Sequence, residues 1–230
     1  MLKEFNKMEK PQEGELQERL EEAKRKLSAQ QMMLKEHKLP VLVLFEGWGA
    51  AGKGSTIGKI IRNIDPRFFK VATMSAPTEE ELRRPFLYRY FIQIPEAGKF
   101  TFLDGGWMEE ITKRVLDGSL SEKEYSMRIE SVKRFERQLT DNGYLVLKFF
   151  FHISEKEQKK RLDALMEDKD TSWRVSEYDR WQNKHYEKCE GVFDRYLNDT
   201  NVPAAPWYLI DAQSRKWAQL QVLEMMCQGI

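Results

Sequence analysis

VLVLFEGWGAAGKGSTIG, residues 41–58, runs from an apolar stretch through a glycine-rich turn into a helix-forming segment. Val41–Phe45 reads as a buried strand. Gly47, Gly49, Gly52 and Gly54 let the backbone turn sharply and present several N–H groups to an anion. The helix that follows adds the positive end of its dipole. Lys53 supplies a mobile point charge; Gly54 stands where the strict pattern has Ser or Thr directly after the lysine, and Ser55 and Thr56 come next. This is the layout of a Walker A phosphate-binding loop, with Gly47, Gly49, Gly52, Lys53, Gly54 and Ser55 as its binding residues.

Working outward, strand-like and helix-like stretches alternate. The N-terminal 1–14 is polar and is expected to be a flexible lead, with 15–230 as one domain. Residues 15–37 repeat apolar side chains at helical spacing: Leu16, Leu20, Ala23 and Leu27, less regularly Met32 and Leu34. Strands are predicted at 41–45, 70–74, 100–103, 144–152 and 207–210. Helices are predicted at 53–63, 79–92, 107–116, 121–142, 154–166, 177–198 and 214–227, with Pro85 starting, kinking or interrupting the second. Such alternation implies a three-layer α/β/α fold around a five-stranded parallel sheet. Crossover geometry then gathers the strand ends on one edge, where ligands bind.

Composition narrows the class. The net charge of +1 implies no acidic or basic field, and no basic face suggests nucleic acid as a partner. The two cysteines and three histidines show no metal-ligand spacing. No apolar run reaches the length of a membrane span, and the N-terminus has no secretory core. These features suggest a reduced, cytoplasmic protein.

Asp104 ends the apolar strand KFTFLD, where an acid in a phosphate-loop enzyme supports a divalent metal; an ordinary turn aspartate before Gly105 and Gly106 is the alternative. Arg89, among aromatics in ELRRPFLYRYF, is a better phosphate ligand candidate than Arg83 or Arg84. Arg114, Lys113 and the run Lys159, Lys160, Arg161 read more simply as charged helix faces. Arg174 sits in a charged loop suited to a lid.

The ordered series LFEGWGAAGKGSTI, IDPR, APTEEELRRPFLYRYFIQIP, DGGW, RFERQLTDNGYLVLKFFFHISEKEQKKRL, TSWRVSEYD and APWYLIDA resembles the family-2 polyphosphate kinases over residues 15–228. The resemblance implies a P-loop kinase-like fold with a helical lid around 167–190. It implies phosphoryl transfer between inorganic polyphosphate and a nucleotide, AMP or ADP, with Mg²⁺. Lys53, Asp104, Arg89 and Arg114 would be the catalytic residues and Asp104 the metal ligand. Three departures stand out. Gly49 replaces a loop aspartate, Gly105-Gly106-Trp107-Met108 replaces R-S-W-Y, and Ile92 replaces a second arginine. Such losses resemble the degraded first domain of tandem polyphosphate:AMP phosphotransferases. The competing reading is therefore a domain that binds polyphosphate or nucleotide, or supports a sister domain, without turnover. A homo-oligomer or a sister-domain contact is expected. Glycine at 49, 105 and 106 is expected to enlarge and loosen the site. A nucleoside-monophosphate kinase using ATP is the third reading, since GKGS is the loop order of that class.

Overall fold

Five parallel strands form the centre of the computed structural model, which describes residues 1–5 and 9–230. They are β1 (Val41–Gly47), β2 (Phe69–Thr73), β3 (Phe100–Asp104), β4 (Leu145–His152) and β5 (Trp207–Asp211), in the spatial order β2-β3-β1-β4-β5. β1 is apolar on both faces because it is central, and it is buried from Val41 to Glu46. The chain builds to one side of β1 with β2 and β3, then to the other with β4 and β5. Such a reversal leaves a crevice at the carboxyl ends of β1 and β3, which pair in register with Phe45 opposite Asp104.

Helices cover both faces. On one, α1 (Glu13–Glu36) packs on α10 (Arg215–Gly229), which also touches α2 (Lys53–Ile61), β4 and β5. On the other, α5 (Trp107–Leu116), α6 (Glu122–Asp141) and α9 (Tyr186–Thr200) pack together, with α5 on β1 and α6 on β4. The α1 stripe is buried at Leu16, Leu20, Ala23, Leu27 and Leu34, whereas Met32 is exposed. Ser121 and Glu124 close the expected capping box on α6. Among the described residues, no helix is long and apolar enough to cross a membrane.

Two predicted helices are each broken in two. The 79–92 segment becomes α3 (Glu79–Leu82) and α4 (Tyr88–Phe91), because Pro85 removes a donor and restricts its predecessor. The 177–198 segment becomes α8 (Glu177–Lys184) and α9, with α7 (Glu155–Glu167) before them. The break is His185, at φ −119° and ψ 37°, whose ring stacks on Trp181 at 4.4 Å and lies 2.9 Å by Nδ1 from the Trp181 carbonyl.

Within the expected N-terminal lead, Leu2 is buried, and the Met1 ammonium and the Leu2 N–H both donate to Asp194 of α9. Residues 6–8 of that stretch lie outside the described residues. Cys189 and Cys227 are unpaired and buried, and burial pushes both thiols up to about 11, which makes them inert packing groups. Lys148 of β4 is fully buried, where its ammonium donates to Glu136 at 2.7 Å and to the Thr200 carbonyl at 2.9 Å.

Candidate active site

The loop after β1 is held from below before it presents anything above. A Cβ on Gly47 would overlap the backbone of Phe151, so this residue must be glycine, and its φ of +125° demands the same. The Trp48 N–H donates to the Phe151 carbonyl at 3.2 Å. Its indole is fully buried, stacked on Tyr186 with centroids 3.9 Å apart, and donates to His152 Nδ1 at 3.1 Å. Arg161 of α7 is buried too. Its guanidinium donates to the carbonyls of Ala50, Ala51, Ala212 and Gln213, tying the loop to the end of β5. The expectation of a solvated Arg161 is therefore corrected: the residue clamps the loop, and its spacing from Glu157, one helical turn away, holds it there.

What the loop presents is an open anion cradle. Gly52, at φ +99°, caps α2, and the Thr56 N–H bonds its carbonyl. The N–H groups of Gly52, Lys53, Gly54 and Ser55 have no acceptor among the described residues, and Gly54 and Ser55 are exposed. Lys53 folds back over the loop, donating to the carbonyls of Gly47 at 3.2 Å and Trp48 at 3.1 Å. Asp104 stands on the neighbouring strand. Burial pushes its pKa up and the Lys53 charge opposes that. No donor among the described residues bonds its carboxylate, which is thus available to a cation.

Glu46, overlooked in the sequence, closes the floor. It is buried, and its Oε1 accepts from the Met108 N–H at 3.1 Å and the Glu109 N–H at 3.4 Å, at the start of α5. Burial raises its pKa to about 8, the Glu109 charge adds to this, and Lys53 opposes it. A lone acid inside an apolar strand was the available signal.

Arg89 and Arg114 do not join Lys53 in the cradle. They line a second cavity of about 560 Å³ between the end of β2 and α5, with Ser75, Tyr90 and Lys113. Arg89 is buried and donates to the Ser75 carbonyl at 2.6 Å, with Glu81 3.7 Å away. Arg114 donates to the Ser119 carbonyl at 3.1 Å. Glu109 lies on the wall of both this cavity and the small one beside the loop. Arg174 is exposed, its guanidinium 5.3 Å from the centre of the exposed Trp173 ring.

A family model described as polyphosphate kinase 2 matches residues 10–230. The chain belongs to the polyphosphate kinase 2 family. It is 33% identical over 204 residues to a polyphosphate:AMP phosphotransferase of Pseudomonas aeruginosa, a match covering 89% of this chain and 41% of that protein. It is 28% identical to an AMP/ADP-polyphosphate phosphotransferase of Meiothermus ruber, covering 87% of this chain and 76% of the relative. The crystal structure of polyphosphate kinase 2 from Arthrobacter aurescens TC1 superposes with a TM-score of 0.91 at 24% identity, over 96% of this chain and 80% of that one. The chain thus spans about two fifths of the length of the Pseudomonas relative.

In this polyphosphate kinase 2 domain two of the three glycine departures, Gly49 and Gly106, are closely packed rather than loosening the site, contrary to expectation. A Cβ on Gly49 would overlap Asp179 Oδ1 of α8. One on Gly106 would overlap Leu44 and come within 2.9 Å of Glu46 Oε1. Gly105 has space, but its φ is +83°. Among the described residues, no group of three or more His, Cys, Asp or Glu is arranged to hold a metal. A hard cation held by one carboxylate and by substrate phosphates needs no such group, and Asp104 beside the open cradle fits that mode.

Proposed function

We propose that this domain transfers a phosphoryl group between inorganic polyphosphate and a nucleotide, AMP or ADP. The carrying observation is the set of open N–H groups from Gly52 to Ser55, with Asp104 beside Gly54 and the Lys53 ammonium held at the Gly47 and Trp48 carbonyls of the same loop. The phosphate chain would lie on these amides, which need no reorganisation as charge builds. An acceptor phosphate oxygen attacks the terminal phosphorus, the bridging P–O bond breaks, and the shortened chain leaves with the bonding electrons. Lys53 would leave the loop carbonyls to neutralise the phosphoryl oxygens. Asp104 would hold the divalent cation, which we take to be Mg²⁺; when bound it offsets phosphate charge. The 560 Å³ cavity is the size of a small-ligand site and would take the acceptor nucleotide, with Arg89 and Arg114 facing its phosphate.

The test is turnover of AMP or ADP with polyphosphate and Mg²⁺. Lys53→Ala and Asp104→Asn should each lower the rate by ~10²–10³. ATP as a donor equal to polyphosphate would overturn the polyphosphate assignment. The second reading, binding without turnover, draws on Gly49, Gly105 and Ile92, which stand where the family resemblance expects an acid and two arginines. Tight tripolyphosphate binding with no product above the Lys53→Ala background would favour it.

A further inference from the structure

Two residues of α8 stand against the loop at Gly49. The Gly49 N–H donates to Gln182 Oε1 at 2.8 Å. Gln158 of α7 braces that oxygen from behind, donating from Nε2 to Gln182 Oε1 at 2.8 Å and to the Gly49 carbonyl at 3.3 Å. Asn183 adds a contact to Gln158 Oε1 at 3.1 Å. Beside Gln182 stands Asp179. Its Oδ2 is engaged in the capping box at the start of α8, accepting from the Ser176 N–H at 2.8 Å and the Ser176 hydroxyl at 2.7 Å. Its Oδ1 lies where a side chain on residue 49 would begin.

The space left between α8 and the loop is about 30 Å³, lined by Lys53, Glu46, Glu109, Tyr178, Asp179 and Gln182 among others. That is close to the volume of one water molecule, so no phosphate chain reaches Gly49 while α8 is docked. A carboxylate oxygen and an amide oxygen on an N–H-rich loop are what an anion would offer. An acid there also repels a second anion.

We propose that α8 is an intramolecular competitor for the Gly49 end of the loop, in which Gln182 takes the Gly49 N–H and Asp179 stands beside it, so that a phosphate chain extending from the open Gly52–Ser55 amides to Gly49 must displace them. The proposal rests on the phosphate reading of the loop. Glycine at 49 then serves closure: it is the seat that lets α8 dock. Binding is weakened by the fraction of molecules with α8 open, and any change that lifts α8 strengthens it. A restored aspartate at 49 would overlap Asp179, so it would lift α8 as well as add an acid.

The experiment measures tripolyphosphate binding by calorimetry on wild type, Gly49→Ala, Gln182→Ala and Lys53→Ala, together with amide hydrogen exchange across 177–184. The methyl of Gly49→Ala is a wedge against Asp179, and Gln182→Ala frees the Gly49 N–H. Both should bind tripolyphosphate about tenfold more tightly than wild type. In wild type, tripolyphosphate should speed exchange in α8. Unchanged or weaker binding by both Gly49→Ala and Gln182→Ala overturns the proposal alone, as does α8 becoming more protected with ligand. If neither wild type nor the two variants bind better than Lys53→Ala, the phosphate reading falls and the proposal with it. The wild-type exchange measurement decides the matter even if the variants do not fold.

Discussion

Asp104 Oδ2 lies 2.9 Å from the point where a Cβ on Gly54 would stand. The close approach couples the residue after Lys53 to the position of the Asp104 carboxylate. A serine directly after Lys53 would bring its Cβ against the carboxylate on β3, which would have to shift to admit it. Gly54→Ser should raise helix propensity in α2 slightly, by about 0.5 kcal/mol, yet displace Asp104. Turnover should fall about a hundredfold with no loss of melting temperature. An unchanged kcat would show that the position of Asp104 is not critical.

Glu46 makes stability depend on pH. Its pKa rises from the ordinary 4.5 to about 8 in the fold, so the folded chain keeps a proton that the unfolded chain has released. Stability therefore falls as pH rises from about 4.5 to about 8 and levels off above that. Glu46→Gln keeps an acceptor for Met108 and Glu109 but removes the titration. The melting-temperature gap between the variant and wild type should widen in the variant's favour across that window. A gap independent of pH would contradict the assigned burial.

The strand-end glycines fail for different reasons when replaced. Gly106 has extended backbone that any residue adopts, but its methyl would meet Leu44 and Glu46, so Gly106→Ala should cost about 1–3 kcal/mol in urea unfolding. Gly105→Arg has room and instead forces an L residue to φ +83°, costing about 1–2 kcal/mol. Restoring arginine there should lower the melting temperature rather than simply recover a ligand. A neutral Gly106→Ala would show that β1 yields at Leu44.

Lys148 and Glu136 form an ion pair with both side chains fully buried. Burial acts against both charges, raising the Glu136 pKa and lowering that of Lys148, and each partner opposes the shift of the other. Lys148→Met should strand Glu136 and cost about 3–5 kcal/mol. Combining it with Glu136→Leu should recover most of that. Chemical denaturation of the three variants checks this, and equal losses in the single and double variants would refute the coupling.

Strand positions were legible because apolar runs between turn signals leave few alternatives, and the five predicted strands lie within one or two residues of β1 to β5. The loop was legible for the same local reason: glycine spacing and a following helix are properties of consecutive residues. Helix breaks were less so. Pro85 announces its own, but His185 breaks a helix through its contacts with Trp181.

By itself the sequence determined what is local: the strand-loop-helix at 41–61, the alternation that makes a parallel sheet, and Lys53 and Asp104 at the carboxyl edge of that sheet. Tertiary structure alone decided that Arg161 clamps the loop, that Arg89 and Arg114 line a different cavity, and that Asp179 faces Gly49. The physical reason is distance along the chain. Residues 49 and 179 meet only because α8 returns across the sheet edge, and no pattern of neighbours records a contact that only packing creates.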